Sequence, residues 1–241
     1  MAPKQATWTT DRGTVTNDMD SRSQIISALI AVPDLSPWAV AKRGIDLVVA
    51  VLLLLLLVPL LALLALVVAL DSRGPVLFRQ TRQGLGRRPF TVFKFRTMSH
   101  GAAADLHRGY IAQLAQEGDT APAGELKKLT ADPRVTRAGR VLRRTSLDEL
   151  PQLINVVRGE MSLVGPRPAL DYELEHYRPE HFERFEVRPG ITGLWQVSGR
   201  NALGFHEMLE LDSEYARRQG PLLDAAILAR TPVALVRNRA A

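Results

Sequence analysis

Two adjacent carboxylates, Asp148 and Glu149, directly follow a cluster of arginines. The cluster spans eleven residues and consists of Arg134, Arg137, Arg140, Arg143 and Arg144. Cations beside a helix N-terminus form a phosphate site, into which two carboxylates fit when they share a divalent cation. Carboxylate, Mg²⁺ and arginine around a phosphate are typical of phosphoryl transfer, and a carboxylate can also be the nucleophile that forms an acyl phosphate.

The same pair lies where the sequence predicts the start of a helix. Ser146 followed three residues later by Glu149 has the pattern of a capping box. One apolar helix face follows, made of Leu147, Leu150, Leu153, Ile154 and Val157. A simpler interpretation stays open, in which Asp148 and Glu149 only stabilise the helix N-terminus through its dipole.

Two later segments combine proline, glycine and arginine in ways that suit a binding site. In residues 162–168, Arg167 lies between Pro166 and Pro168, which restrict the backbone and so the directions open to the guanidinium. Residues 188–201 hold three glycines, one tryptophan and polar ends. The alternatives are a structural turn with a solvated arginine for the first segment, and a buried strand bounded by turns for the second.

An uncharged run from Leu47 to Leu70 indicates where the protein works. As a helix its 24 residues would span about 36 Å, enough to cross a hydrocarbon core of about 30 Å. We therefore expect a membrane helix over residues 37–71. Pro59 lies near the middle of the run and should kink the helix, because it lacks the amide donor of the helical ladder.

Both flanks of this run carry the positive charge that marks cytoplasmic segments. The flanking cations are Lys42, Arg43, Arg73, Arg79, Arg82, Arg87 and Arg88. Basic flanks and a central kink favour a re-entrant helix, which dips into one leaflet and returns. A crossing helix stays open, since proline is tolerated in spanning helices.

The remaining patterns predict an α+β fold, in which a small, mainly helical catalytic domain at 72–241 follows the membrane helix. Strand-like stretches at 76–80 and 90–96 form a short β-hairpin with one apolar and one cationic face. Residues 1–36 are expected to be a flexible arm, and residues 99–131 a variable insertion.

The C-terminal stretch, residues 222–239, alternates apolar runs with arginines. This pattern favours an amphipathic helix in the membrane interface, with a core helix as the alternative. The five histidines show no metal-ligand spacing and are expected at the surface: His100, His107, His176, His181 and His206.

The amino-acid composition limits the classes of partner that the chain is expected to bind. The chain of 241 residues has no cysteine, and 31 basic against 25 acidic side chains. A basic surface beside a bilayer points first to anionic membrane lipids and next to a phosphorylated substrate. No nucleic-acid motif is recognised, so we expect no nucleic-acid partner.

Taken together, these segments resemble the bacterial sugar transferase family. Its members are polyprenyl-phosphate hexose-1-phosphate transferases, monotopic phosphoglycosyl transferases that start exopolysaccharide, capsule, O-antigen and glycan assembly. The resemblance covers residues 42–239 and runs through Lys42-Arg43-x-x-Asp46, Gly74-Pro75-Val76-x-Phe78, Phe93-Lys94-Phe95-Arg96-Thr97-Met98, Asp148-Glu149, Gly165-Pro166-Arg167-Pro168 and Pro189-Gly190-Ile191-Thr192-Gly193.

The resemblance implies a reaction in two steps. Asp148 attacks the sugar-linked phosphate of a UDP-sugar, UMP leaves, and undecaprenyl phosphate then takes the phosphosugar from the enzyme. Glu149 would hold Mg²⁺ at the diphosphate. The remaining implied site residues are phosphate or nucleotide contacts and an active-site cation: Arg143, Arg167 and Arg200, and Lys94.

The resemblance also implies a re-entrant helix broken near Pro59, with the catalytic domain on the cytoplasmic face of the bacterial inner membrane. Many members have serine before that proline, whereas this chain has Val58. A break that relies on a serine hydroxyl is therefore in doubt here. The identity of the sugar and a possible homodimer stay open.

Two rival functions predict different behaviour. An ordinary membrane-anchored glycosyltransferase would move the sugar without its phosphate and release UDP instead of UMP. A non-enzymatic basic scaffold at the membrane would use Asp148 and Glu149 only as helix caps, so an Asp148→Asn variant would keep its function.

Overall fold

The computed structural model describes residues 36–99, 109, 111, 134–199 and 203–237. The expected arm at 1–36 and the expected insertion at 99–131 lie almost entirely outside these residues. Arg200 lies outside them too.

A long apolar helix, α1 (Pro37–Asp71), opens the described chain. Ser36 caps it by accepting a hydrogen bond from the Ala39 amide, and Pro37 suits the first helical position. Its 35 residues extend over about 52 Å. By length and composition α1 could cross a membrane, and only 11% of its most apolar stretch is buried inside the protein. The prediction of one long apolar helix in this part of the chain is confirmed.

The predicted hairpin is confirmed as well. Strands β1 (Leu77–Gln83) and β2 (Pro89–Phe95) pair antiparallel, and a short 3₁₀ turn at Leu85–Arg87 joins them. Gly86 and Arg87 both have positive φ, which fits the glycine-rich connection.

The prediction of one apolar and one cationic face was wrong. Val92 and Arg96 lie on the face predicted to be cationic, yet both are buried. Val92 packs between α1 and the helix that follows Asp148. The Arg96 guanidinium donates hydrogen bonds to the carbonyls of Val68 and Ser72, at the C-terminal end of α1. Burial on both faces removes the alternation that a half-exposed sheet would show.

The chain continues with α2 (Arg137–Thr145), a 3₁₀ turn at Leu147–Glu149 and α3 (Gln152–Arg158). Two very short strands, β3 (Ser162–Val164) and β4 (Gly190–Thr192), then pair in parallel.

Between β3 and β4 the chain forms 3₁₀ stretches at Asp171–His176 and Pro179–Glu186. After β4 come α4 (Leu194–Ser198), α5 (Phe205–Arg218) and α6 (Pro221–Arg237). The predicted α+β, mainly helical domain is confirmed, whereas the parallel strand pair was not predicted. The strand alternative for residues 188–201 holds only for β4, because α4 begins two residues later.

Two of the clusters that form the core lie between α1 and the rest of the domain. One cluster joins the middle of α1 to β2 and α3, through Ala50, Val92, Leu153, Val156 and Met161. Another joins its C-terminal half to β2 and α2, through Leu64, Val68, Phe95 and Leu142. Helix α1 is therefore part of the domain core and does not project away from it.

Polar contacts fix the N-terminal end of α1 to the same domain. Lys42 forms an ion pair with Asp224 of α6. Arg43 donates to the Val156 and Val157 carbonyls in the last turn of α3, at 2.6 and 3.0 Å, and Asp46 accepts the Leu163 amide at 3.1 Å. The Lys42-Arg43-x-x-Asp46 motif thus ties the start of the apolar helix to three separate elements.

The surface assignment of the histidines was wrong for His181 and His206. Both are buried, and their rings stack with centroids 5.4 Å apart. Burial lowers the pKa of His181 to about 4, so this ring is neutral at physiological pH. Tyr177 contacts His181 and Phe205 contacts His206, each in an edge-to-face arrangement.

Candidate active site

Asp148 lies in the short turn that links α2 to α3. Helix α2 ends because Ser146 adopts a left-handed conformation, with φ of 56°, and its amide donates back to the carbonyls of Leu142 and Arg143. Pro151 then precedes α3, where a missing amide proton costs nothing. The predicted capping box was therefore wrong, since Ser146 closes the preceding helix and makes no side-chain cap.

The Asp148 carboxyl is buried, with only 8% of the residue exposed. Burial, and after it the neighbouring Glu149 carboxylate, raise its pKa from 3.8 to about 6. The positive charges of Lys94 and Arg143 act in the opposite direction. At pH 7 a group with this pKa is about nine tenths ionised, so Asp148 is a carboxylate in a poorly hydrated place, which favours nucleophilic attack.

Glu149 forms an ion pair with Lys94 of strand β2. The distance between Lys94 Nζ and Glu149 Oε1 is 2.8 Å. Each side chain is about a quarter exposed, so the pair borders the solvent while Asp148 lies behind it. This arrangement brings together four residues that the sequence had proposed for the site: Lys94, Arg143, Asp148 and Glu149.

Asn155 links α3 to β2 through side-chain hydrogen bonds. It is fully buried on α3, where its Oδ1 accepts the Phe93 amide at 3.1 Å and its Nδ2 donates to the Thr91 carbonyl at 2.7 Å. Its Nδ2 also donates to Glu160. These bonds satisfy the free edge of β2 on both sides of Val92, and so they fix the strand that carries Lys94 against the helix that follows Asp148.

Arg167 belongs to a second group of charges. Its Nη1 lies 3.0 and 3.2 Å from the two carboxylate oxygens of the buried Glu173. Burial alone would lower the pKa of Arg167, but the ion pair outweighs it and raises the pKa above its usual value. The same pair holds the pKa of Glu173 below its usual range. The Arg167 side chain is therefore held in place by a carboxylate, while 34% of it remains exposed.

The backbone of Arg167 is held on both sides. Its amide donates to Asp212 Oδ2 at 3.2 Å, and its carbonyl accepts Arg184 Nη2 at 2.6 Å. Arg184 and Asp212 form a buried ion pair of their own, with N and O atoms 2.6 Å apart. The Pro-Arg-Pro segment thus rests on a buried charge pair from the 3₁₀ stretch and from α5.

The glycines of the two motifs serve the close approach of β3 and β4. A Cβ atom at Gly165 would lie 2.3 Å from the Arg188 carbonyl oxygen, and one at Gly190 would lie 2.0 Å from the Gly165 amide nitrogen. Only glycine fits such backbone contacts. These glycines are explained by packing, whereas the charges around Arg167 are not.

The donor set allows one mode of Mg²⁺ binding. Among the described residues, no group of three or more His, Cys, Asp and Glu side chains could hold a metal. Mg²⁺ commonly uses one or two carboxylates and takes its other ligands from water and substrate phosphates. The adjacent pair Asp148 and Glu149 fits that mode, with phosphate oxygens completing the shell.

Sequence reasoning missed Asn155 and Glu173, and it counted Arg82 only among the flanking cations. Burial and the charge of Arg167 lower the pKa of Arg82 to about 10, while Glu173 and Glu149 act against them, so Arg82 is within electrostatic reach of both groups of charges. A polar Asn155 beside the apolar face predicted for α3 was one available signal. No sequence signal identified Glu173, because its pairing with Arg167 depends on how the Pro-Arg-Pro segment folds.

The chain is similar in sequence to known proteins. Residues 38–238 match the family described as bacterial sugar transferase. The chain is 43% identical over 205 residues to a UDP-glucose:undecaprenyl-phosphate glucose-1-phosphate transferase of Caulobacter vibrioides, covering 81% of this chain and 69% of the relative. It is 38% identical over 200 residues to the exopolysaccharide production protein ExoY of Sinorhizobium fredii, covering 83% and 87%. It is 39% identical over 201 residues to an undecaprenyl-phosphate galactose phosphotransferase of Salmonella typhimurium, covering 82% of this chain and 40% of that longer relative.

Proposed function

Because the chain belongs to the bacterial sugar transferase family, we propose that it moves a sugar-1-phosphate from a UDP-sugar to undecaprenyl phosphate and releases UMP. Such a transfer starts exopolysaccharide, capsule or O-antigen assembly. Relatives named as glucose and galactose phosphotransferases of undecaprenyl phosphate support a transferase of this kind.

The observation that carries the proposal is the position of Asp148. It is a buried carboxyl with a pKa near 6, and two cations and a second carboxylate act on it. A cap that only stabilises a helix end would be exposed and fully ionised. A carboxylate held in this way is suited to attack a phosphorus atom whose charge the cations offset.

In the first step, a carboxylate oxygen of Asp148 forms a bond to the sugar-linked phosphorus of the UDP-sugar. The bond from that phosphorus to the bridging oxygen breaks, and UMP leaves with the electron pair. The enzyme then holds an aspartyl phosphosugar. In the second step, an oxygen of undecaprenyl phosphate attacks the same phosphorus, and the Asp148 carboxylate leaves unchanged.

Lys94 and Arg143 offset the charge of the phosphoryl group during both steps, and Arg167 orients the nucleotide. Mg²⁺ would be held by Glu149 and the diphosphate, where it neutralises the charge that develops on the leaving phosphate. Lys94 keeps the Glu149 carboxylate in place, 2.8 Å away.

A re-entrant placement of α1 is supported by its contacts at both ends. Near the N-terminal end, Lys42 pairs with Asp224 and Arg43 binds the end of α3. At the C-terminal end, Arg96 binds α1 carbonyls, and Asp71 accepts the Ala138 amide of α2. A helix that crossed the bilayer would carry one of its ends to the far side, away from these partners. We therefore place both ends on the same side of the membrane, with Pro59 in the turn-back region.

The part of the α1 surface that the rest of the protein does not cover suits contact with lipids. Its exposed apolar side chains recur at helical spacing and include Ile45, Val48, Leu52, Leu55, Leu56, Leu63, Leu66 and Leu70. The predicted C-terminal helix is confirmed as α6, which exposes Leu222, Leu228, Val233 and Val236. We propose that both surfaces face the membrane, α6 lying in its interface. The basic flanks of α1 support a domain on the cytoplasmic side of the inner membrane.

The test is the nucleotide product. Purified protein in detergent receives undecaprenyl phosphate, Mg²⁺ and a panel of UDP-sugars, and the released nucleotide is identified for the wild type and for Asp148→Asn. UMP that appears with one donor and is lost in the variant would support both the reaction and the nucleophile. UDP as the product would instead identify a glycosyltransferase, and an active Asp148→Asn would remove Asp148 from the mechanism.

A further inference from the structure

Helix α2 presents an exposed basic face. Arg137, Arg140 and Val141 stand at positions i, i+3 and i+4 of the helix, and Arg144 stands at i+7, so all four share one side. Arg137 and Arg140 are exposed, and Val141 is 61% exposed. The other side of the helix is buried at Leu142. We call Arg137, Arg140, Val141 and Arg144 the basic face of α2.

The stability of α2 does not account for the arginines of its first turn. Arg137 and Arg140 lie where the positive end of the helix dipole disfavours cations, and this turn holds no acidic residue to offset them. Within the described ranges, neither arginine has a carboxylate at ion-pair distance. Arg140 donates to the Val135 carbonyl at 3.4 Å. Both charges are therefore open to an anion from outside the chain.

The same two arginines lie at the end of α2 away from the nucleophile. Asp148 follows the C-terminal end of the helix, whereas Arg137 begins it. At 1.5 Å per residue, Arg137 is about 12 Å and Arg140 about 7.5 Å along the axis from Thr145. Arg143, in the last turn, remains the arginine of α2 that belongs to the candidate active site.

The first turn of α2 is attached to the end of α1. Asp71, the last residue of α1, accepts the Ala138 amide at 3.2 Å. The uncharged run ends one residue earlier, at Leu70, which is 78% exposed. Where such a run ends, the chain leaves the hydrocarbon core for the headgroups, whether the helix turns back or crosses. The basic face of α2 therefore begins at headgroup depth, and the exposed Arg73 adds a positive charge two residues beyond Asp71.

We propose that the basic face of α2 binds anionic phospholipid headgroups. Its guanidinium groups match phosphate in charge and geometry, and the apolar Val141 among them suits the border of the acyl chains. This surface is a membrane contact separate from α1 and α6, and it responds to the charge of the lipid. The inference rests on the membrane placement proposed for α1 and deepens it.

The test uses one fluorescent label on the basic face of α2. The chain has no cysteine, so Val141→Cys in the full-length protein takes a nitrobenzoxadiazole label at one position. The labelled protein is placed in nanodiscs of phosphatidylcholine alone or of phosphatidylcholine with phosphatidylglycerol. We expect the emission to move to shorter wavelength when phosphatidylglycerol is present, because the label then leaves water. Added salt should reverse the shift, since it screens the attraction.

Removal of the two arginines of the first turn should abolish this shift. In Arg137→Gln/Arg140→Gln, each lost charge should weaken docking by about fivefold, the factor that one basic residue contributes near an anionic surface. The variant should fold, because glutamine favours helices and the lost cations opposed the helix dipole. Arg217→Gln/Arg218→Gln is the matched control, since it removes the same charge from exposed positions of α5 and should keep the shift.

Several results would overturn the proposal. An equal shift in Arg137→Gln/Arg140→Gln would do so, and no shift in any nanodisc would leave the basic face to a partner other than lipid. A label on Glu210→Cys, exposed on α5, should not respond, and an equal shift there would also contradict docking by α2. Protein that does not stay with the nanodiscs would overturn the placement of α1 and this inference with it. The measurement uses no substrate, so failure of the proposed reaction is seen separately, as a wild type that releases no UMP.

Discussion

Lys94 Nζ lies 2.8 Å from Glu149 Oε1, and the two residues are 55 positions apart in the chain. The ion pair joins the hairpin to the turn that carries Asp148. It also places a positive charge where it lowers the pKa of that carboxyl. Lys94 thus both fixes Glu149 and keeps Asp148 ionised.

A Lys94→Met variant should therefore lose activity and shift its pH profile. We expect kcat/KM to fall by about 10²-fold, as for the loss of one positioned electrostatic contact. In the wild type kcat/KM should rise with pH around the pKa of Asp148, near 6. Without Lys94 that pKa goes up, so the acidic limb of the profile should move to higher pH. Profiles of both enzymes between pH 5 and 8 check this, and an unmoved limb would show that Lys94 does not act on Asp148.

Asp148→Asn should make the protein inactive but more stable at neutral pH. The folded-state pKa of Asp148 is raised from 3.8 to about 6, so the folded state disfavours its ionised form. That penalty is absent below the unfolded pKa and develops fully as pH rises through the folded pKa. Its upper bound is about 3 kcal/mol, and asparagine removes it.

Thermal unfolding in detergent at pH 4 and pH 8 measures this effect. The Tm of Asp148→Asn should exceed that of wild type at pH 8, and the difference should shrink towards pH 4. Glu210→Gln is the control, because Glu210 is an exposed carboxylate of α5. A variant that is less stable than wild type at pH 8 would contradict the prediction.

Asn155 should tolerate no simple replacement. In Asn155→Asp the side chain can no longer donate to the Thr91 carbonyl, and a carboxylate meets Glu160. We expect a loss of about 2–4 kcal/mol in the free energy of unfolding, together with a lower kcat because the Lys94 strand is released. Adding Glu160→Gln should restore part of the stability, since a glutamine can donate to the new carboxylate. Denaturant unfolding of the single and double variants tests this, and equal stability of the two would argue against the contact.

Arg96→Met should weaken the attachment of α1. The guanidinium is buried, with 6% of the residue exposed, and it serves the carbonyls of Val68, Ser72 and Pro75. Methionine keeps the volume but leaves these acceptors without a donor, so we expect a loss of at least about 2 kcal/mol. Thermal unfolding shows the effect, and Arg79→Met, at an exposed position of the same hairpin, should change Tm little. A similar Tm for both variants would mean that Arg96 does not hold the helix.

The sequence predicted those elements of the fold that depend mainly on residues close together in the chain. The apolar run determined α1, and alternation around a glycine-rich turn determined the hairpin, because each pattern permits few other structures. The Ser146 pattern was ambiguous in a physical sense. A serine can begin a helix by capping it or end one in a left-handed conformation, and here the end of α2 at Thr145 decided which.

Site residues that belong to short sequence motifs could be predicted from the sequence. Site residues whose partners are distant in the chain could not. Asp148 and Lys94 were named from the sequence, and the structure places them within electrostatic reach of each other. Glu173 and Arg82 gain their meaning only from the fold of the Pro-Arg-Pro segment, which no periodic pattern describes. The burial of Arg96 depends on the end of α1, 24 residues away.

The seven-residue helix α3 joins the turn of Asp148 to the start of α1. Its N-terminal end follows the turn of Asp148, and its C-terminal carbonyls bind Arg43. The helix is rigid and about 10 Å long, so it acts as a spacer that sets the height of Asp148 above the point where α1 begins. For the reaction that we propose, an acceptor is then selected by the depth of its phosphate. The enzyme would not distinguish acceptors by the number of isoprene units in the tail, because the tail lies beyond α3.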